Sequence, residues 1–158
     1  MEDNLKDMEP KELMILNSKI MIELKEKQVI RTKNNPIADY CEWLVSKKFN
    51  WNLQKNSNAG FDIIDNENLR VQIKCRTLEK GKGTRQLGVI RNLDGDTFDY
   101  LIGILFNEHI EVVEAYLISK PLIIRYSRYS KHQNGHILSL KGELLNDKEL
   151  KNITNELQ

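Results

Sequence analysis

Apolar residues recur at helical spacing through the first third of the chain and then gather into short runs separated by polar turns. Over residues 10–30, Leu13, Leu16, Ile20 and Leu24 share one face, and Ile15, Ile22 and Val29 add a second row. This pattern predicts a long helix with a wide apolar arc. Such a helix has to bury much of its girth, either across its own domain or against a second copy. A second helix is predicted from residue 35. Asn34 or Asn35 can cap it, and Pro36 suits the first turn, where a missing N–H costs nothing. Ile37, Tyr40, Cys41, Leu44 and Val45 form its apolar face; Glu42 falls at the border and Asp39 at a poorer angle.

The rest reads mainly as strands. "WNLQ" (51–54) predicts a short first strand, and "KNSNAG" (55–60) a turn. Two strands follow at 61–65 and 69–76. After a basic, glycine-containing loop, "FDYLIGILF" (98–106) is nearly all apolar, as a central strand buried on both sides would be. Residues 111–118 predict a further strand. Ser119 and Pro121 open a third helix through residue 132. Residues 136–140 predict a last short strand or an extended return, and residues 142–158 a polar C-terminal helix or tail. The order predicts a single α/β domain over 1–158, with helices flanking a mixed sheet of four or five strands.

One strand is unusual. Side chains two apart in a strand point the same way, so Val71, Ile73 and Cys75 face the core while Arg70, Gln72, Lys74 and Arg76 share the other face. If Asn66–Asn68 form a three-residue hairpin loop, Asp65 pairs with Leu69 and Asp62 lies opposite Gln72. A two-residue turn would pair Asp62 with Val71 and scatter the cluster, so the expectation requires three loop residues or a bulge. A carboxylate, an amide oxygen and an ammonium then converge beside a helix that offers Glu42. Hard cations such as Mg²⁺ take oxygen ligands, often one or two carboxylates with several waters retained. A lysine beside such a cation can orient an attacking water and offset charge on a phosphate, which is the chemistry of metal-assisted phosphodiester hydrolysis.

Charge and composition sharpen this only in part. The chain has 158 residues, 40% hydrophobic content and a net charge of +1, as expected for one ordinary globular domain. Arg70, Lys74, Arg76, Lys80, Lys82, Arg85 and Arg91 face a single acid, Glu79, and Lys120, Arg125, Arg128 and Lys131 make a second basic stretch. The chain therefore presents either a basic face or a mixed solvated surface. The acidic, polar N-terminus and the lack of a long apolar run predict no leader peptide and no membrane span. Cys41 and Cys75 have no CxxC partner and no zinc-ligand spacing; they read as reduced core thiols of a cytoplasmic protein.

Asp62, followed by Gln72-Ile73-Lys74, resembles the signature of the PD-(D/E)xK nuclease superfamily, in the QxK form of Mrr-like restriction endonucleases. "ADYCEWLV" is similar to that family's helix motif, with Glu42 in the glutamate position. Gly60-Phe61-Asp62 and the later apolar strand keep the same order, and the likeness covers roughly residues 35–106. It implies a restriction-endonuclease-like core, here over residues 35–141, and a Mg²⁺-dependent DNA endonuclease of restriction or defence type, with Mn²⁺ as a substitute metal. It further implies metal ligation by Asp62, Gln72, the Ile73 carbonyl and Glu42, with Lys74 acting on the water. Gln72 stands where most of the superfamily has an acid, which removes one negative charge from the site.

Double-stranded DNA cut by one site per chain predicts a homodimer, with the N-terminal helix able to supply the contact. Arg125, Arg128 and His132 fall on one face of the predicted third helix, beside Tyr129; this face is either a phosphate-contacting stripe or a solvated surface. Arg76, Arg85, Gln86 and Arg91 are further candidate DNA contacts. His132 and His136 are separated by Asn134-Gly135, which ends the helix and argues against a metal-binding pair. Two other classes remain open: a DNA-binding module of the same fold without catalysis, and a protein-interaction subunit of a defence complex.

Overall fold

The computed structural model describes residues 4–55, 60–80 and 83–158. Residues 56–59 of the expected turn, and Gly81 and Lys82 of the basic loop, lie outside these. The chain divides into two compact units, Met1–Tyr40 and Cys41–Gln158. No helix among the described residues is long and apolar enough to cross a membrane.

In the first unit, α1 (Pro10–Glu26) follows a short 3-10 turn and begins with Glu9 and Glu12 in a reciprocal capping box. No residue of α1 is buried. Met14 and Ile22 are 67% and 59% exposed, and Leu13, Ile15 and Ile20 are also exposed. Burial within the chain therefore does not account for the apolar arc. Helix α2 (Pro36–Phe49) starts where expected, with Asn35 Oδ1 accepting the Ile37 N–H at 3.1 Å. Asp39 is buried because its Oδ2 accepts the Arg31 and Thr32 N–H groups, both at 2.7 Å, and the Thr32 hydroxyl at 3.0 Å.

In the second unit a six-stranded mixed sheet runs β1-β2-β3-β4-β5-β8. The strands are β1 (Asn52–Leu53), β2 (Ile63–Ile64), β3 (Arg70–Thr77), β4 (Tyr100–Phe106), β5 (Val112–Ser119) and β8 (Lys151–Asn152). Only β3 and β4 pair in parallel; the other neighbours are antiparallel. Every residue of β4 is buried, as its unbroken apolar run requires. Arg70 fixes the start of the parallel pair: its guanidinium bonds both Asp99 oxygens at 3.0 and 3.2 Å, while the Arg70 and Asp99 backbones exchange hydrogen bonds with the partner residue.

One face of this sheet carries the main core. Leu101, Leu105 and Ile118 pack with Leu87, Ile90 and Leu93 from the covering segment, Leu122 and Ile123 from α3 (Lys120–Tyr126), and Leu138, Leu140 and Leu144. Full burial of each such side chain stabilises the fold by about 1.5–3 kcal/mol.

Three expectations need correction. The sheet has six strands rather than four or five, because the polar C-terminal segment is not one helix. It forms a 3-10 turn (Gly142–Asn146), strand β8 and a single-turn α4 (Thr154–Leu157), which bury Leu144, Ile153 and Leu157. The third helix stops at Tyr126. Ser127 is extended (φ −87°, ψ 159°), and β6 (Arg128–Ser130) pairs with β7 (Gly135–Ile137) as a hairpin. Tyr129 meets the His136 ring edge-on at 5.5 Å, the kind of cross-strand pair that favours a hairpin over a continued helix. Consequently Arg125, Arg128 and His132 do not share a helical face.

Candidate functional site

The site is assembled by the β2–β3 hairpin, and Asp65 shapes its turn. The Asp65 carboxylate accepts the Glu67 and Leu69 N–H groups, both at 2.9 Å, and the Tyr100 hydroxyl at 2.7 Å. Burial and that carboxylate raise the Tyr100 pKa above the usual phenol range. The Asp65 N–H donates to the Leu69 carbonyl, and Asn68 takes the left-handed conformation (φ 63°), so Asn66–Asn68 is the loop. Ile63 then pairs with Val71, and Ile64 with Arg70.

This register carries Asp62 to Gln72. Its N–H donates to the Val71 carbonyl at 2.8 Å, and its Oδ2 accepts the Ile73 N–H at 2.7 Å. Asp62 is thus bonded to the residues on both sides of Gln72. Asp62 and Ile63 both address Val71, as in a bulge, which turns the aspartate out of the regular ladder.

Gln72 is 8% exposed. Its Nε2 donates to the Gly60 carbonyl at 3.2 Å, which sets the orientation of the amide, because only the N–H side can face a carbonyl. The other end is unmatched: Gln72 Oε1 is buried without a hydrogen-bond partner. An unpaired buried oxygen costs about 1–3 kcal/mol. Gly60 permits this arrangement, since its φ is +98° and an added Cβ would lie 2.5 Å from Thr97 Cβ.

Lys74 shares the Gln72 face by strand alternation, and these residues pair in register with Gly103 and Leu101 of β4. The Lys74 stem passes Gly88 of the covering segment and is half-buried. Glu42 approaches from α2 on the Cys75 side of β3. The Cys41 thiol hydrogen-bonds Cys75, which together with burial raises the Cys41 pKa; the Glu42 and Asp62 carboxylates add to the rise. The same hydrogen bond lowers the Cys75 thiol. Both carboxylates therefore lie within electrostatic reach of one buried thiol.

The donor chemistry fits a hard cation in one respect, the orphaned Gln72 oxygen beside the Asp62 carboxylate. Among the described residues, no group of three or more His, Cys, Asp and Glu side chains is placed to hold a metal. Any cation held here depends on amide, backbone and water oxygens as well as carboxylates.

The candidate DNA contacts divide. Arg85 is tied inward, with Nε donating to the Leu140 carbonyl at 2.5 Å and Nη2 paired to Glu114. Burial pushes Glu114 up, but hydrogen bonds from Arg85 and Tyr116 outweigh it and hold the carboxyl below its ordinary value. Arg76 Nε donates to the Gln86 carbonyl at 2.6 Å, anchoring the covering segment to β3. Arg125 pairs with Asp147 at 2.8 Å. Arg91, Arg128 and His132 are exposed. Gln86 and Arg128, distant in sequence, line one polar cleft of about 370 Å³ with Thr84, Ser139, Lys141 and Glu143. The sequence signal for this cleft was weak, because a hairpin rather than a helix delivers Arg128 to it.

No protein-family model matches this chain, and no curated protein is detectably similar to it in sequence.

Proposed function

We propose that this chain is a metal-dependent DNA endonuclease of restriction or defence type, with its site on the β2–β3 hairpin. The observation that carries the reading is Gln72, bracketed by the bonds of Asp62 to Val71 and Ile73, with its buried side-chain oxygen lacking a protein partner. A buried side-chain oxygen without a protein partner is positioned to meet a water or a ligand. A cation beside the Asp62 carboxylate would satisfy it.

Asp62 and Gln72 would hold the cation, with Glu42 and the Ile73 carbonyl as the further donors that the resemblance to PD-(D/E)xK nucleases implies. When bound, Mg²⁺ or Mn²⁺ supplies Lewis-acid stabilisation of charge on a phosphate. The Asp62–Ile73 hydrogen bond holds the carboxylate in one orientation. Lys74, on the Gln72 face, orients the attacking water and offsets negative charge on the phosphate. The Gln86–Arg128 cleft offers amide, hydroxyl and cationic donors to the DNA backbone. Cutting both strands of a duplex with one site per chain favours a homodimer, and the exposed apolar side chains of α1 support pairing.

The test is cleavage of plasmid and genomic DNA, methylated and unmethylated, in Mg²⁺ or Mn²⁺, with wild type beside Asp62→Ala and Lys74→Ala. Metal-dependent cutting by wild type alone supports the nuclease. Salt-sensitive DNA binding without cutting in all three proteins replaces it with a binding module of the same fold. Absence of both cutting and binding removes the DNA reading.

A further inference from the structure

The β6–β7 hairpin is a two-stranded ribbon outside the main sheet, closed by a turn at residues 131–134. Its turn is fixed from within. Asn134 takes the left-handed conformation (φ 47°), its N–H donates to the Lys131 carbonyl at 3.3 Å, and its side-chain oxygen accepts the Tyr129 hydroxyl at 2.9 Å. Packing fixes the root. His136 and Ile90 exchange backbone hydrogen bonds at 2.8 and 2.9 Å. Gly135 lies so close to the covering segment that an added Cβ would be 2.5 Å from Val89 Cγ2 and 2.7 Å from the Ile90 carbonyl oxygen.

The same segment meets the candidate site, since a Cβ added at Gly88 would lie 3.6 Å from Lys74 Cδ. Gly88 precedes Ile90 by two residues, which is at most about 7 Å of chain. The ribbon is therefore rooted beside the lysine. Its outer end is cationic and polar: residues 120–141 contain no acid, and Lys131, His132 and Gln133 are exposed. Among the described residues no hydrogen bond or ion pair engages these three side chains. Two strands about 5 Å apart, with their side chains, match a DNA major groove about 12 Å wide.

We propose, within the DNA reading above, that the β6–β7 ribbon enters the major groove of duplex DNA and reads sequence there, with Lys131 and Gln133 on base edges. The Gln133 amide selects adenine, donating to N7 and accepting from the N6 amino group, and Lys131 donates to guanine O6 and N7. Arg128, at the root of the ribbon, meets the phosphate backbone, which positions the duplex without reading it. Because one covering segment holds both the ribbon and the Lys74 stem, a base contact at the turn sets which phosphate faces the lysine.

The experiment selects bound duplexes from a randomised DNA library with the full chain, in Ca²⁺ and in parallel in EDTA, and sequences them. Wild type is run beside Gln133→Ala and Lys131→Ala, with melting curves to confirm that both variants fold. Wild type should enrich a site containing adenine. Gln133→Ala should erase the adenine preference, a ratio between about 5 and about 150, and leave the salt slope unchanged because no charge is removed. Replacing the selected adenine with 7-deazaadenine removes only its major-groove acceptor; it should weaken binding by wild type and not by Gln133→Ala. Binding without enrichment, enrichment identical in both variants, or indifference to 7-deazaadenine overturns this inference and leaves the nuclease reading standing. Absence of binding to any duplex overturns both. Enrichment that depends on the turn, without cutting in Mg²⁺, upholds the inference and overturns the nuclease.

Discussion

The Asp62 carboxylate accepts the backbone N–H of Ile73 at 2.7 Å, so one side chain completes a strand's hydrogen bonding and occupies the candidate site. These two roles separate by substitution. Asp62→Asn retains an oxygen for the Ile73 N–H and should cost less than about 1 kcal/mol. Asp62→Ala leaves that N–H unpaired and should cost about 1–3 kcal/mol. Both should abolish metal-dependent cleavage. Urea denaturation beside a cleavage assay checks the pair; equal stability losses would mean that the hydrogen bond contributes little.

Gln72→Glu tests the orphaned oxygen. Without divalent cation, a carboxylate facing the Gly60 carbonyl in a nearly buried position should destabilise the chain by about 1–3 kcal/mol. Added Mg²⁺ should reverse the loss and raise the melting temperature more than in wild type, because the new charge strengthens cation binding. Melting curves with and without Mg²⁺ decide it, and an unchanged difference between the two proteins would count against a cation at this position.

Acid should destabilise the fold through Asp99 and Glu114. Hydrogen bonds from Arg70, first from its side chain and then from its backbone, lower the Asp99 pKa from 3.8. Glu114 lies below 4.5 despite its burial. A folded-state pKa below the unfolded value means that the unfolded chain takes up protons first as pH falls. The stabilisation is therefore complete above these ordinary values and is lost as pH drops through the folded ones. Urea midpoints at a series of pH values should fall in that window, and Glu114→Gln should flatten part of the decline.

Arg128→Ala should weaken DNA binding across sequences and reduce the slope of log affinity against log salt by about 0.9, the equivalent of one phosphate contact. Arg85→Ala should act differently, lowering stability through the lost Glu114 and Leu140 contacts. Binding isotherms at several salt concentrations, with melting curves, distinguish the two arginines.

The hairpin register was legible because strand alternation and the polar Asn-Glu-Asn loop are local signals, and the left-handed Asn68 and the Asp65 carboxylate enforce them. The buried β4 was legible for the same reason. The third helix was misread past Tyr126 because 3.6-residue spacing of Arg125, Arg128 and His132 mimics a helical face, whereas the Tyr129–His136 pairing that decides for a hairpin spans the turn. The C-terminal segment was read as a polar tail because Leu144, Ile153 and Leu157 follow no single period. The orphaned Gln72 oxygen had no sequence signal, since burial of one amide end depends on Gly60 and the hairpin together.

The margins of the sheet have a consequence for how the chain avoids its own kind. Both outermost strands, β1 and β8, are only two residues long. Neither offers a run of open backbone groups long enough to template another strand. The most apolar strand, β4, is enclosed along its length between β3 and β5, while β8 covers only Tyr116 and Leu117 of β5. Crowded solutions of this chain should therefore stick first through the exposed apolar side chains of α1 rather than through β4.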